Sequence, residues 1–353
     1  MSQAAPVKPA GAPDTDHVWE ATFALPEQLA LGAATAASVA AAAPVPPVPP
    51  SNVVAFGMGG SGIGHDVLAA IAAPLAPVPV VVAKDYEVPA FVGPSTLVLA
   101  ASFSGNTEET VAAFTSSLER GAQLVVVCGG GRLGELASDA HVPVVPVPLD
   151  IPHPRLAIGA MAVAPLMVLE AAGILPGASA AVAAAVEQLS HRRDQLIAGD
   201  LANRVADRIG RTVPLIYGGG AIGRAAALRW KCQVNENAKS PAFWAAHPEL
   251  DHNELAGWGQ MGDVTRQLIT LVDLRHDYEH PQVGRRFAAV DAVMEEVVAS
   301  IVTVRAAGEG PLAQLFDLVL IGDVVALTLA AREGIDPGPI PVLEDLKVAI
   351  ARR

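Results

Sequence analysis

Short apolar runs alternate along this chain with Gly- or Ser-containing loops and helical stretches, a pattern that predicts parallel strands joined by helices. The runs fall at residues 53–56, 79–83, 96–101 and 123–127, with a fifth at 142–147. A second series begins at 213–217, where Gly218, Gly219 and Gly220 precede another helical stretch, and continues at 267–272 and 299–304. The loop GGGAIG of the second series echoes GMGGSGIG of the first, each following a short strand and opening a helix. The pattern predicts an α/β protein of two related halves, each a parallel sheet flanked by helices, with ligands bound at the carboxyl ends of the strands.

Punctuation sets the expected boundaries. Residues 1–16, rich in Ala, Pro and Gly, read as a flexible tail, and 17–50 as an Ala-rich helix interrupted at Pro26 and followed by the linker PVPPVPPS, which runs on to Ser51. The first subdomain spans 51–155, connecting helices 156–207, and the second subdomain 208–353. The stretch 156–186 is long and apolar, with Glu170 as its main interruption. Gly173, Pro176 and Gly177 divide it, so a buried helix pair is expected rather than a membrane span. The first residues are polar and Pro-rich without a basic region leading into an apolar one, so no signal peptide is expected.

Composition narrows the function classes. Of 353 residues 52% are hydrophobic but only 4% aromatic, so Ala, Val, Leu and Ile must fill the cores. A net charge of −13 repels a phosphate backbone and disfavours nucleic acid, while leaving room for a small anion held by backbone N–H groups. Cys128 and Cys232 form neither a disulfide framework nor a C-x-x-C site, which fits a reducing compartment and a cytoplasmic protein.

Two loops carry binding chemistry. Gly57-Met58-Gly59-Gly60-Ser61-Gly62 follows a strand and opens a helix, so its free N–H groups form an anion site. It lacks the Lys and Thr of a P-loop and the distant acidic residue of a dinucleotide fold; alone, it reads equally as a tight turn. The segment SFSGNTEET, residues 102–110, places the hydroxyls of Ser102, Ser104 and Thr107 around a second helix start, where an ordinary capping box is the alternative. The two loops together resemble the sugar isomerase (SIS) domain, which binds phosphosugars through such loops. That resemblance makes Gly60, Ser61, Ser102, Ser104 and Thr107 the phosphate ligands.

The second half supplies candidate reactive groups. NENAK, residues 235–239, places Glu236 beside two amides and close to Lys231 and Lys239; His252 lies in HPELDHNELAGW, and Lys347 in a helical run over 342–350. Moving a proton between adjacent carbons needs a base, a ring-opening group and positive charge near the enediolate, which Glu, His and Lys or Arg can provide without a metal or other cofactor. These segments resemble the bifunctional phosphoglucose/phosphomannose isomerase family, a likeness running from about His17 to the end of the chain. It implies that Glu236 is the proton-transfer base, His252 the ring opener contributed across a homodimer interface, Lys347 a cation at the sugar, and Arg155 the arginine stabilising the enediolate. The substrate would be glucose 6-phosphate or mannose 6-phosphate, with no nucleic-acid or membrane partner. The alternatives are a solvated carboxylate at Glu236, a capping or core histidine at His252 with His247 competing, and a surface lysine at Lys347. His276 and His280, with Asp277 and Glu279, read as solvated charge on a loop rather than a metal cluster. Asp251 stands where such motifs often carry an amide, GGGAIG has no hydroxyl, and the apolar Ile340 lies where the family tunes sugar choice. A non-catalytic phosphosugar sensor and an amino-sugar-phosphate isomerase remain the competing functions.

Overall fold

The computed structural model describes residues 8–42 and 49–351. The start of the expected tail and most of the proline linker, residues 1–7 and 43–48, lie outside the described residues. The chain forms two compact units: Ala24–His191 with Ala307–Asp317, and Met1–Phe23 with Arg192–Ala306 and Leu318–Arg353.

The unit built on Ala24–His191 contains five parallel strands: β1 (Asn52–Phe56), β2 (Val80–Ala83), β3 (Thr96–Ser102), β4 (Gln123–Cys128) and β5 (Val144–Pro146). Their order is β2-β1-β3-β4-β5. β3, TLVLAAS, is buried along its whole length, while β2 at the edge is only half-buried. Its nearly continuous apolar sequence is what a central parallel strand covered on both faces requires. Phe56, Val98, Phe114, Val126 and Leu133 fill the core on one side of this sheet. The chain leaves β1 toward β2 and returns to β3 on the other side, so the connections after β1 and β3 diverge. This switch point opens a crevice at the carboxyl ends of both strands.

The apolar stretch at 156–186 forms the helix Ile158–Ala171 and the start of Ala178–Ala198. A Cβ on Gly32 of the helix Leu25–Ala42 would lie 3.1 Å from Ala160 Cα, so small residues let the two helices meet closely. Among the described residues, the helix long and apolar enough to cross a membrane is instead Pro311–Arg332, and its apolar window is wholly buried.

The other unit contains the parallel strands β6 (Val213–Gly219), β7 (Phe243–His247), β8 (Ile269–Arg275) and β9 (Ser300–Arg305), ordered β7-β6-β8-β9. β7 escapes the sequence pattern because it is a short, partly exposed edge strand between Pro241 and Pro248. β8 starts later than the apolar run suggested, because residues 262–268 form a helix, and it extends to carry Asp273 and Arg275. The two sheets share a local device. A Cβ on Gly62 would lie 2.6 Å from Gly57 O, and one on Gly218 would lie 2.0 Å from Gly223 O. In both cases a strand turns into a helix so tightly that only glycine fits.

Candidate active site

In the first unit the crevice is lined by the two loops read from the sequence. Gly59, with φ +52°, starts the helix Gly59–Ala72. The Ser61 hydroxyl accepts a hydrogen bond from the Phe103 N–H at 3.3 Å and so ties the first loop to the second. In the second loop the buried Ser102 hydroxyl accepts from the N–H groups of Gly105 (3.1 Å) and Thr107 (3.4 Å) and pairs with the Thr107 hydroxyl at 2.8 Å. The exposed Ser104 accepts from the Asn106 N–H at 3.2 Å. Thr107 flanks the helix Glu108–Glu119, yet its side chain makes no capping bond, and Met58 provides none for the helix Gly59–Ala72. The first amides of both helices are thus left without a side-chain cap, as an anion site needs.

Arg155 joins this cradle. It sits in the short turn Pro154–Leu156 and is 5% exposed; a Cβ on Gly60 would lie 2.7 Å from Pro154 O and 3.0 Å from Arg155 Cα. The arginine backbone therefore packs directly on the first loop, and Gly60 is a glycine because nothing larger fits.

A third loop was not singled out from the sequence. Gly105 has φ +71°, and a Cβ there would come within 1.7 Å of Gly130 O. The Asn106 carboxamide oxygen accepts from the Arg132 N–H at 3.0 Å, and Leu133 N–H donates to Gly105 O at 2.8 Å. Residues 129–131, GGG, thus fix the shape of the hydroxyl loop. Their glycine run after an apolar strand was the available signal. Lys84, just beyond β2, pairs with Asp66 at 2.5 Å and lies close to Gly62. Beside it His65 is fully buried with no hydrogen-bond partner among the described residues; burial, and then Lys84, push its pKa down to about 3, so it is neutral.

The other unit carries the remaining candidates. Glu236 is half-buried in the last turn of the helix Gly220–Asn237, and its carboxylate makes no hydrogen bond or ion pair among the described residues. The helix end around it is held by Lys239, which takes φ +54° and donates to Glu236 O (2.5 Å) and Pro337 O (3.1 Å). Asn235 donates to Ser240 O at 2.8 Å. One turn earlier Gln233 is fully buried with both amide atoms unpartnered among the described residues. His252 ends the short turn Glu249–His252 and is exposed; Lys347 is exposed on the helix Pro341–Ala351. No hydrogen bond or ion pair joins Glu236, His252 and Lys347 among the described residues. His247, the competing histidine, is wholly buried and bonded to Asp251, so it belongs to the interior.

The loop 276–280 departs from the expectation of solvated charge. His276 is buried with Nε2 2.9 Å from Gly219 O, and Glu279 is held by Arg275 (2.8–3.1 Å) and by the His276 N–H at 3.0 Å. The Glu279 carboxyl carbon would lie 3.4 Å from a Cβ on Gly219, beside the start of the helix Gly220–Asn237. Among the described residues no three His, Cys, Asp or Glu side chains are grouped to hold a metal ion.

A sequence model of the bacterial phospho-glucose isomerase C-terminal SIS domain matches residues 198–350. The chain is 31% identical over 339 residues to a bifunctional phosphoglucose/phosphomannose isomerase from Caldicellulosiruptor bescii, covering 95% of this chain and 99% of the relative. It is 32% identical over 204 residues to a D-glucosamine-6-phosphate 4-epimerase from Sulfolobus acidocaldarius, covering 58% and 62%. Among solved structures, tagatose-6-phosphate ketose/aldose isomerase from Escherichia coli superposes with a TM-score of 0.68 at 16% identity, covering 92% and 94%, a likeness of fold.

Proposed function

The chain belongs to the bifunctional phosphoglucose/phosphomannose isomerase family, and from that premise we propose that it interconverts glucose 6-phosphate and mannose 6-phosphate with fructose 6-phosphate through a cis-enediol, without a metal. The observation that carries this reading is the cradle at the β1/β3 switch point, where two uncapped helix starts, a ring of hydroxyls and the Arg155 turn converge. Gly60, Ser61, Ser102, Ser104 and Thr107 hold the phosphate. Glu236, a carboxylate with no hydrogen bond or ion pair among the described residues, moves the proton between C1 and C2. Arg155 stabilises the enediolate, Lys347 is a cation at the sugar, and His252 opens the ring. The exposure of His252 in a single chain supports its completing the site of a second copy in a homodimer. We place the enzyme in the cytoplasm.

The test is fructose 6-phosphate formation from each sugar phosphate in the presence of EDTA, with Glu236→Gln as control. Turnover of both sugars that disappears in the variant supports the proposal. Binding of either sugar without turnover would return the chain to the sensor reading. The Sulfolobus relative favours one alternative, an enzyme of amino-sugar phosphates; conversion of glucosamine 6-phosphate in place of glucose 6-phosphate would select it.

A further inference from the structure

Resting on the assignment of His252 to ring opening, we propose that Asp251 is a positioning residue that sets His252 through a clamp with His247 and Arg286. Asp251 precedes His252 in the turn Glu249–His252, and its side chain is only 7% exposed. One carboxylate oxygen lies 2.8 Å from His247 Nδ1, at the end of β7, and the other 2.9 Å from Arg286 Nη1, on the helix Pro281–Met294. Those anchors are themselves fixed. The buried His247 ring packs on Phe287 at 4.2 Å and edge-on against Tyr217 at 5.8 Å, and Phe287 is wholly buried in the core of this sheet.

The neighbouring side chains are tied in the same way. Asn253 donates to Glu249 at 2.9 Å and caps the following turn by accepting from the Glu254 N–H at 2.6 Å. The Tyr217 hydroxyl donates to Glu254, and Leu250 is buried in the core. Across residues 249–254, His252 is the one side chain without a hydrogen bond, ion pair or core contact among the described residues. A turn in which every other side chain is anchored presents that histidine at a fixed place.

The departure at Asp251 now has a physical reason. Burial holds the His247 pKa below its ordinary value, against the pull of Asp251, so the neutral ring donates Nδ1–H. Asp251 therefore faces two donors, and only a carboxylate accepts from both; an amide would turn its NH2 toward one of them.

The experiment uses the full chain, measuring kcat and KM for glucose 6-phosphate in Asp251→Asn, Arg286→Gln and Arg286→Lys, alone and combined with His252→Gln. Asp251→Asn and Arg286→Gln are expected to lower kcat about tenfold to a hundredfold with little change in KM. Arg286→Lys, which keeps the charge, recovers part of the loss, and neither loss recurs once His252 is Gln. If Asp251→Asn fails to fold, the two Arg286 variants carry the same comparison. Equal losses with and without His252 would overturn the positioning role. Full turnover by His252→Gln alone would instead remove the ring-opening assignment, and the clamp's role with it.

Discussion

At the scale of single residues, two buried titratable groups pull the pH dependence of stability in opposite directions. Asp273 sits on β8, 1% exposed, and burial followed by the neighbouring Asp291 pushes its pKa well above the ordinary carboxylate value. With no donor reaching either oxygen among the described residues, Asp273 keeps its proton in the folded chain. The folded chain then holds a proton that the unfolded chain releases once pH exceeds the ordinary 3.8. Stability from this group is full below that value and falls as pH rises. Asp273→Asn keeps the shape and removes the charge, so it should raise the melting temperature at pH 8 by several degrees, a gain on the order of 2 kcal/mol, and change little near pH 4. An equal shift at both pH values would contradict the proton held by Asp273. His65 works the other way: its pKa lies at about 3 when folded, against 6.5 when free, so stability is lost as pH falls through that window. His65→Gln should make the melting temperature less sensitive to acid between pH 6 and 4, and a profile parallel to the parent would contradict it.

At the scale of elements, the helix Gly220–Asn237 that carries Glu236 is held by groups far away in sequence. Arg229 meets Asp323 in a bidentate pair, Nε–Oδ1 3.0 Å and Nη2–Oδ2 2.6 Å, with side chains 1% and 4% exposed. Trp230 Nε1 donates to Leu318 O at 2.7 Å, with Gly322 leaving room for its ring. Removing one partner strands a buried charge, so Asp323→Ala should cost about 3–5 kcal/mol, whereas Arg229→Met with Asp323→Leu should recover much of it. Thermal unfolding checks both; a melting point for Asp323→Ala within about 1 °C of the parent would contradict the argument. None of this pairing is legible from sequence, because Arg229 and Asp323 are partners only once the chain has folded. Strands were legible where an apolar run is continuous, as in β1, β3 and β4, since burial on both faces demands it. β7 was not, since an edge strand of five residues between prolines has no such constraint. The loops GMGGSGIG and SFSGNTEET were legible because close backbone approach and hydroxyl chemistry each restrict the residue allowed. The Asp251 clamp was not, for Arg286 lies 35 positions away on another element.

For the whole molecule, the recurrence of strand, glycine turn and helix in two sheets poses the question of how many anions one chain binds. Both sheets reverse their strand order beside the first strand, and both use paired glycines, 57 with 62 and 218 with 223, to bring a helix start to that crevice. The contents differ. At the first, Ser61, Ser102 and Thr107 offer hydroxyls beside helix starts that, like the start of Gly220–Asn237 at the second, carry no side-chain cap. At the second, His276 takes Gly219 O and the Glu279 carboxylate, held by Arg275, already occupies the place beside the helix start. A negative charge next to a helix start satisfies the same field that would attract a phosphate, and it repels a second anion. Calorimetric titration of the full chain with inorganic phosphate should therefore give one site per chain. Thr107→Val, losing one hydroxyl, should weaken it about fivefold to tenfold, as a hydrogen bond of about 1 kcal/mol implies. Glu279→Ala should leave that first site unchanged, since the bonds of Glu279 among the described residues lie within its own unit. Two phosphate sites in the parent chain, or unchanged affinity in Thr107→Val, would mean that the hydroxyl loop does not distinguish the two crevices.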